Sequence, residues 1–409
     1  MTPRHPPSLA LLGGPAAFPD GVPFVRPPLP ALDKVVARLA TSYEEGTVTN
    51  GPLVAELEAR AAERLGTRHV VAVSSATTGL MLAIRALGVP SGGGVRAGAV
   101  LLPSFTFSAS AHAIAWNGLR PVFADCDRES FQLDVNVDLE GVVGPEGADL
   151  DAILATHVFG APCSPEAVEA LAATTGARLV FDAAAAFGST HAGRPIGGFG
   201  DVEVFSLTPT KTVIAGEGGL VSTDDDDIAK VVRIGREYGN PGDYNTQFVG
   251  LNGRMSELHA ALGLESFANL DAHLARRRAI AGRYVAGLAA IPGVRCQQVD
   301  PADESTWKDV TIVVEPDDFG MDRSALQSVL LAEGVQTRTY FHPPVHHQTA
   351  YEHEPRVDLP VTDALASRVL SLPISPGLPD DHVDRIVELI TTAHESAGEV
   401  ALVVKKARP

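Results

Sequence analysis

Between residues 69 and 222 the chain alternates short apolar, β-branched runs with loops and helix-like stretches. The runs fall at 69–73, 99–102, 121–124, 152–155, 178–181, 202–206 and 219–222. Most are apolar at successive positions, the mark of strands buried on both faces, and helical segments separate them. That pattern predicts a mostly parallel sheet of about seven strands covered on both sides. The last two runs are joined by a loop too short for a helical crossover, so they are expected to be adjacent and antiparallel. Helical periodicity predicts segments at 32–43, 52–65 (with Pro52 in the first turn after Asn50-Gly51), 80–87 and a long helix over 255–288. Ser256 could cap that long helix, and Arg276–Arg278 are expected on its exposed face. From residue 294 the texture changes: a strand at 311–314, a helix at 324–333, a His/Pro-rich loop, and a terminal helix at 380–394. The expected organisation is an extended Pro/Gly-rich arm (1–30), a large α/β domain (31–280) and a smaller α+β domain (281–409).

Composition narrows the class. The chain has 409 residues, is 45% hydrophobic and 20% charged, and can bury a sizeable core. No apolar run reaches the ~18–20 residues that span a bilayer. The apolar patch at 8–12 is interrupted by Gly13, Gly14 and Pro15, so it lacks a signal peptide's h-region, and a cytoplasmic location is expected. A net charge of −18 argues against nucleic acid or an anionic membrane as partner. The acidic run 224–227 reads as a solvated helix start. Cys126, Cys163 and Cys296 form no CxxC pair, so neither a disulfide framework nor a zinc knuckle is expected; buried free thiols are.

In open parallel sheets, ligands bind beyond the carboxyl ends of the strands, and four such ends carry chemistry. After the first, Ser74-Ser75-Ala76-Thr77-Thr78-Gly79 leads into a helix. Hydroxyls and free amides at a helix start suit a phosphate, and the same residues also serve as plain caps. After the fifth, Asp182 is followed by four alanines. A carboxylate so placed needs a partner: a protonated ring nitrogen, or the amides of the following segment. After the sixth, Ser206-Leu207-Thr208-Pro209-Thr210-Lys211 precedes Gly216-Glu217-Gly218-Gly219. A lysine there can form an imine once it sheds its proton, although a lone loop lysine is usually solvated. After the second, Phe105 and Phe107 could stack on a planar ring or belong to the core.

Taken together, these segments resemble the DegT/DnrJ/StrS family of pyridoxal-phosphate (PLP) sugar aminotransferases. The resemblance covers about residues 24–395. It is carried by TNGPLVAELE (49–58), SSATTGLMLAIRALGV (74–89), PSFTFSASAHAIAWNGLRPVFADCD (103–127), THVFGAPC (156–163), FSLTPTKTVIAGEGGLVSTDD (205–225), NGRMSELHAALGL (252–264) and RTYFHPPVHHQTAY (338–351). It implies an α/β fold of the type I, aspartate-aminotransferase-like class. Lys211 matches the Schiff-base lysine and Asp182 the pyridinium partner. Ala76, Thr77 and Ser206 match phosphate contacts, and Phe107 the stacking aromatic. Asn252 and Arg254 lie in the segment that reaches the neighbouring subunit's cofactor, and Tyr340 and His346 in the loop close to the substrate. The implied reaction moves an amino group from an amino acid, usually glutamate, to a nucleotide-linked keto-sugar. The expected substrate is a dTDP-4-keto-6-deoxyhexose aminated at C4, with C3 amination as the alternative. A homodimer with shared active sites is implied as well.

Two positions depart from the family pattern. Ala185 replaces a glutamine that hydrogen-bonds the cofactor's ring hydroxyl, and Phe187 replaces a histidine. The related sugar dehydratases carry histidine in place of the lysine, so Lys211 argues against that chemistry, while Ala185 leaves open a binding or regulatory protein of the same fold. His342, His346 and His347 loosely suggest a metal site, but no carboxylate or cysteine completes it nearby in sequence, and no metal is expected.

Overall fold

The computed structural model describes residues 9–89, 98–139, 141 and 150–407. Seven strands form the central sheet: β1 (His69–Val73), β2 (Ala99–Pro103), β3 (Arg120–Ala124), β4 (Leu150–Thr156), β5 (Arg178–Asp182), β8 (Val202–Ser206) and β9 (Gly219–Thr223). Two short strands, β6 (Thr190–His191) and β7 (Arg194–Pro195), intervene and pair with β11 (Asp303–Glu304) in a separate ribbon. The central order is β1-β9-β8-β5-β4-β2-β3. Only β9 runs against the rest, wedged between β1 and β8. The expected parallel sheet and its antiparallel final pair are both present.

Alternate residues of each run feed opposite faces. Val70, Ala72 and Leu101 enter one core, and Val71, Val73 and Leu102 the other. Helices Pro52–Leu65 and Glu257–Phe267 cover the first face, Ala76–Ala86 and Asp226–Gly235 the second. Asp225 caps the last of these through the amides of Asp227 and Ile228, so the acidic run is a helix start.

The expected long helix 255–288 is instead two helices, Glu257–Phe267 and Leu270–Leu288, broken at Ala268–Asn269. Ser256 caps the first by accepting from His259 N. The second links two cores: Leu274 packs beneath the large sheet, while Ile280 and Tyr284 pack on β10 (Val294–Cys296), β12 (Val310–Val314) and β13 (Val369–Leu372). Arg277 is not on an exposed face. It is 2% exposed and donates to the carbonyls of Trp307 and Lys308, because it falls on the buried stripe of the helix with Leu274, Ala281 and Tyr284, while Ala275 and Ala279 face solvent. The first eight residues of the expected arm lie outside the described residues. From Leu9 onward the arm folds against the C-terminal core through Leu9, Val22 and a bridge from Val22 to Val335. Cys126 and Cys163 are buried and Cys296 half-buried, all as free thiols. Among the described residues no helix is long and apolar enough to cross a membrane.

Candidate active site

The carboxyl ends of β1, β2, β4, β5 and β8 open into one cavity of about 360 Å³, closed on its other side by Tyr340, Phe341 and Lys308. At one end, helix Ala76–Ala86 starts directly after β1. Ser75 Oγ accepts from Thr78 N, leaving the amides of Ala76 and Thr77 without intrahelical acceptors at the cavity wall. Gly219 opens β9 opposite both Val73 and Ser206. A Cβ on Gly219 would lie 2.7 Å from Ala76 N, so only glycine lets this strand pass so close beneath the turn. Ser206 lines the same end. The result is a cup of free amides, a helix dipole and a hydroxyl, the chemistry of a phosphate cradle.

Asp182 sits deeper, 4% exposed. Its Oδ2 accepts from Ser110 Oγ at 2.6 Å and its Oδ1 from Ala184 N at 3.0 Å. Both oxygens are thereby fixed, with lone pairs left for a cation. Lys211 is half-buried on the loop after β8; its amide donates to Thr208 O at 3.0 Å, while its Nζ has no hydrogen bond or ion pair among the described residues. Burial, then the charge of Lys308, brings its ammonium down from 10.5 to about 8, against the opposing pull of Asp309 and Asp182. The neutral, nucleophilic amine is therefore far more abundant near neutral pH than for an ordinary lysine. Phe107 stands at the cavity wall, 62% exposed, with a free ring face. Phosphate cup, carboxylate, lysine and flat aromatic are the donor set that PLP requires, and the residues present fit that group.

Ala76, Thr77, Phe107, Asp182, Ser206, Lys211 and Tyr340 thus share one cavity, as the sequence implied. Three other sequence candidates do not line it. His346 lies behind Ser104, whose Oγ contacts its Nδ1 at 2.6 Å, and it lines a second cavity with Phe123 and Tyr351. Asn252 is exposed, and Arg254 pairs with Glu237 at 2.8 Å. Ala185 lines the cavity, its carbonyl taken by Thr306 Oγ1 at 2.7 Å. Phe187 packs between Phe205 and Phe267, away from it. A carboxylate does stand beside the histidine pair: Asp363, brought in by helix Pro360–Arg368, puts its oxygen within 4.8 Å of His346 and His347 ring nitrogens. His342 is not part of that group. Sequence reading stopped at near neighbours and missed it.

Ser110 is a further site residue not singled out by the sequence pattern; one helical turn beyond Phe107, it faces the same end of the sheet. Lys308 and Asp309 were missed as well. Their signal was two charges directly before the apolar strand β12, an arrangement that obliges burial with a partner.

The sequence matches the DegT/DnrJ/EryC1/StrS aminotransferases over residues 32–391. The chain belongs to that family. This aminotransferase is therefore a PLP-dependent enzyme. It is 34% identical over 357 residues to the dTDP-3-amino-3,4,6-trideoxy-alpha-D-glucose transaminase of Streptomyces venezuelae, covering 87% of this chain and 90% of the relative. GDP-perosamine synthase of Caulobacter vibrioides is 32% identical over 340 residues, 82% of this chain and 89% of its own. The structure of DesI, solved in the presence of its TDP-sugar product, superposes with a TM-score of 0.89 at 36% identity, covering 98% of this chain and 99% of that one.

Proposed function

We propose that this aminotransferase moves an amino group from glutamate to a nucleotide-linked keto-deoxysugar, a dTDP-4-keto-6-deoxyhexose aminated at C4. The observation that carries the chemistry is the convergence of Lys211, Asp182 and the Ala76–Thr77 helix start on one cavity. When bound, PLP supplies an electron sink for the donor's α-carbon. Lys211 is the residue that would hold it covalently, and its freed Nζ would take the proton from the donor's Cα and deliver it to the cofactor's C4′. Asp182, held by Ser110 and Ala184, would keep a proton on the ring nitrogen. Ala76, Thr77 and Ser206 would hold the phosphate, and Phe107 would cover the ring.

The dTDP preference is supported by the full-length likeness to DesI, whose product is a TDP-sugar. The C4 preference follows the overall resemblance to that branch of the family. Amination at C3 is the second reading, favoured by the 3-amino product named for the Streptomyces relative. The enzyme would act as a cytoplasmic homodimer, with Asn252 and Arg254 facing the partner's cofactor and Tyr340 and His346 on the substrate side. Exposed apolar side chains just before Asn252, Tyr244 at 94% and Val249 at 89%, support a covered face there. Within it we take residues 31–280 as the cofactor-binding domain and 281–409 as the smaller one.

The test is to load the protein with PLP, record its visible spectrum and add glutamate without sugar. Loss of the yellow band together with 2-oxoglutarate supports the reading. A band that glutamate leaves unchanged argues against glutamate transamination, and no band at all refutes the role of Lys211. Product analysis on 3-keto and 4-keto dTDP-sugars then decides the carbon.

A further inference from the structure

We infer that Lys308, buried against Asp309, forms the subsite that receives a carboxylate of the amino donor. This rests on the transaminase reading above, in which one cavity must hold an amino acid and a keto-sugar in turn. The first brings carboxylates to the reacting centre, whereas the second presents an uncharged, hydroxyl-bearing ring. The wall must therefore offer a cation to one substrate without stranding a bare charge beside the other.

Two lysines line the cavity. Lys211 is committed to the cofactor and the proton, which leaves Lys308. Its side chain is 8% exposed, and its Nζ lies 2.8 and 3.0 Å from the two oxygens of Asp309. It stands 5.3 Å from the ring centre of Tyr340, over a second cavity wall. Its backbone is held at both ends: the amide donates to Phe159 O at 3.0 Å, and the carbonyl accepts from buried Arg277 at 3.2 Å. This is a rigid mount for a flexible side chain. An ammonium has three donors, and Asp309 occupies two, so one remains for an incoming acceptor.

The pairing answers the two-substrate problem. A lone buried lysine would carry an uncompensated charge whenever the neutral ring is bound, and such a charge is costly. Paired, Lys308 and Asp309 are neutral together. When a carboxylate enters, the ammonium bridges it to Asp309 by charge-assisted hydrogen bonds. The negative groups already lining the cavity, Asp182, Glu217 and Asp309, would otherwise repel that carboxylate.

The test separates the two half-reactions in single turnovers. Lys308→Met, close in shape and uncharged, is loaded with PLP and titrated with glutamate. The pyridoxamine-phosphate form is then titrated with the keto-sugar nucleotide. The inference expects the glutamate concentration for half-maximal rate to rise about thirtyfold, with a much smaller change on the sugar side. Lys308→Arg should recover part of the glutamate affinity, and Asp309→Asn, which frees the ammonium, should tighten it. Equal losses in both half-reactions would mean a structural role and overturn the inference, as would unchanged glutamate saturation in Lys308→Met. If wild-type protein itself fails to convert with glutamate, it is the transaminase reading that falls.

Discussion

The acidity of Lys211 gives a sharp test of how the cavity prepares its nucleophile. Burial and the Lys308 charge bring it from 10.5 to about 8. At pH 7 about one amine in ten is then neutral, against about one in three thousand for an ordinary lysine, roughly a 300-fold gain in reactive amine. The perturbation is pH, and the assay is the initial rate at which apo-protein captures PLP, followed by visible absorbance. The rate should climb about tenfold per pH unit up to neutrality and level off just above pH 8. Lys308→Met should move the break upward, because Asp309 then faces Lys211 without its partner. The same shift has a stability consequence. The folded value lies below the unfolded one, so the folded state favours the neutral amine. The burial penalty is complete below about pH 8 and is relieved as pH rises toward 10.5, so this group's contribution to apo-protein stability improves across that window. A capture rate that keeps rising through pH 9.5 and breaks near 10.5 would show that the cavity does not depress Lys211, and the argument would fail.

Asp182→Ala should still bind PLP through Lys211 but lose turnover by orders of magnitude in the glutamate half-reaction; near-normal turnover would refute its assignment. Gly219→Ala forces a Cβ to within 2.7 Å of Ala76 N, so PLP affinity measured by spectral titration should fall at least tenfold; unchanged affinity would mean the turn can retreat freely. Glu257 is fully buried and accepts from the amides of Gly51, Leu53 and Val54 and from Ser42 Oγ, tying the start of helix Pro52–Leu65 to the next helix layer. Glu257→Gln sets an amide donor against those donors and should cost about 3–5 kcal/mol in chemical denaturation; a loss under about 1 kcal/mol would contradict that network. Ala185→Gln should change the glutamate half-reaction rate only modestly, and a gain of several hundredfold would show that the missing ring-hydroxyl contact is a severe defect.

The seven central strands were legible in the sequence because each is a short, mostly apolar run rich in β-branched residues, and their length and polar flanks separate such runs from buried helix. The capping residues Ser75, Ser256 and Asp225, and Pro52 in a first turn, marked helix starts for equally local reasons. Because parallel strands expose their carboxyl ends on one edge, the line of sequence also indicated that Asp182, Ser206, Lys211 and the Ser75–Thr77 turn would meet. What the sequence could not decide depends on contacts between distant segments. The insertion of β9 between β1 and β8 joins residues about 150 apart, and pairing over that distance leaves no local periodicity. The break at Ala268–Asn269 falls within one core, with Leu264 before it and Leu270 and Leu274 after it packed together, and Arg277 is buried because it shares the core-facing stripe of the next helix with Leu274, Ala281 and Tyr284. Lys308, Asp309 and Asp363 reach their places only when the C-terminal unit closes over the sheet. A charged side chain looks solvated in a linear reading, and only tertiary packing strips its water and gives it a partner.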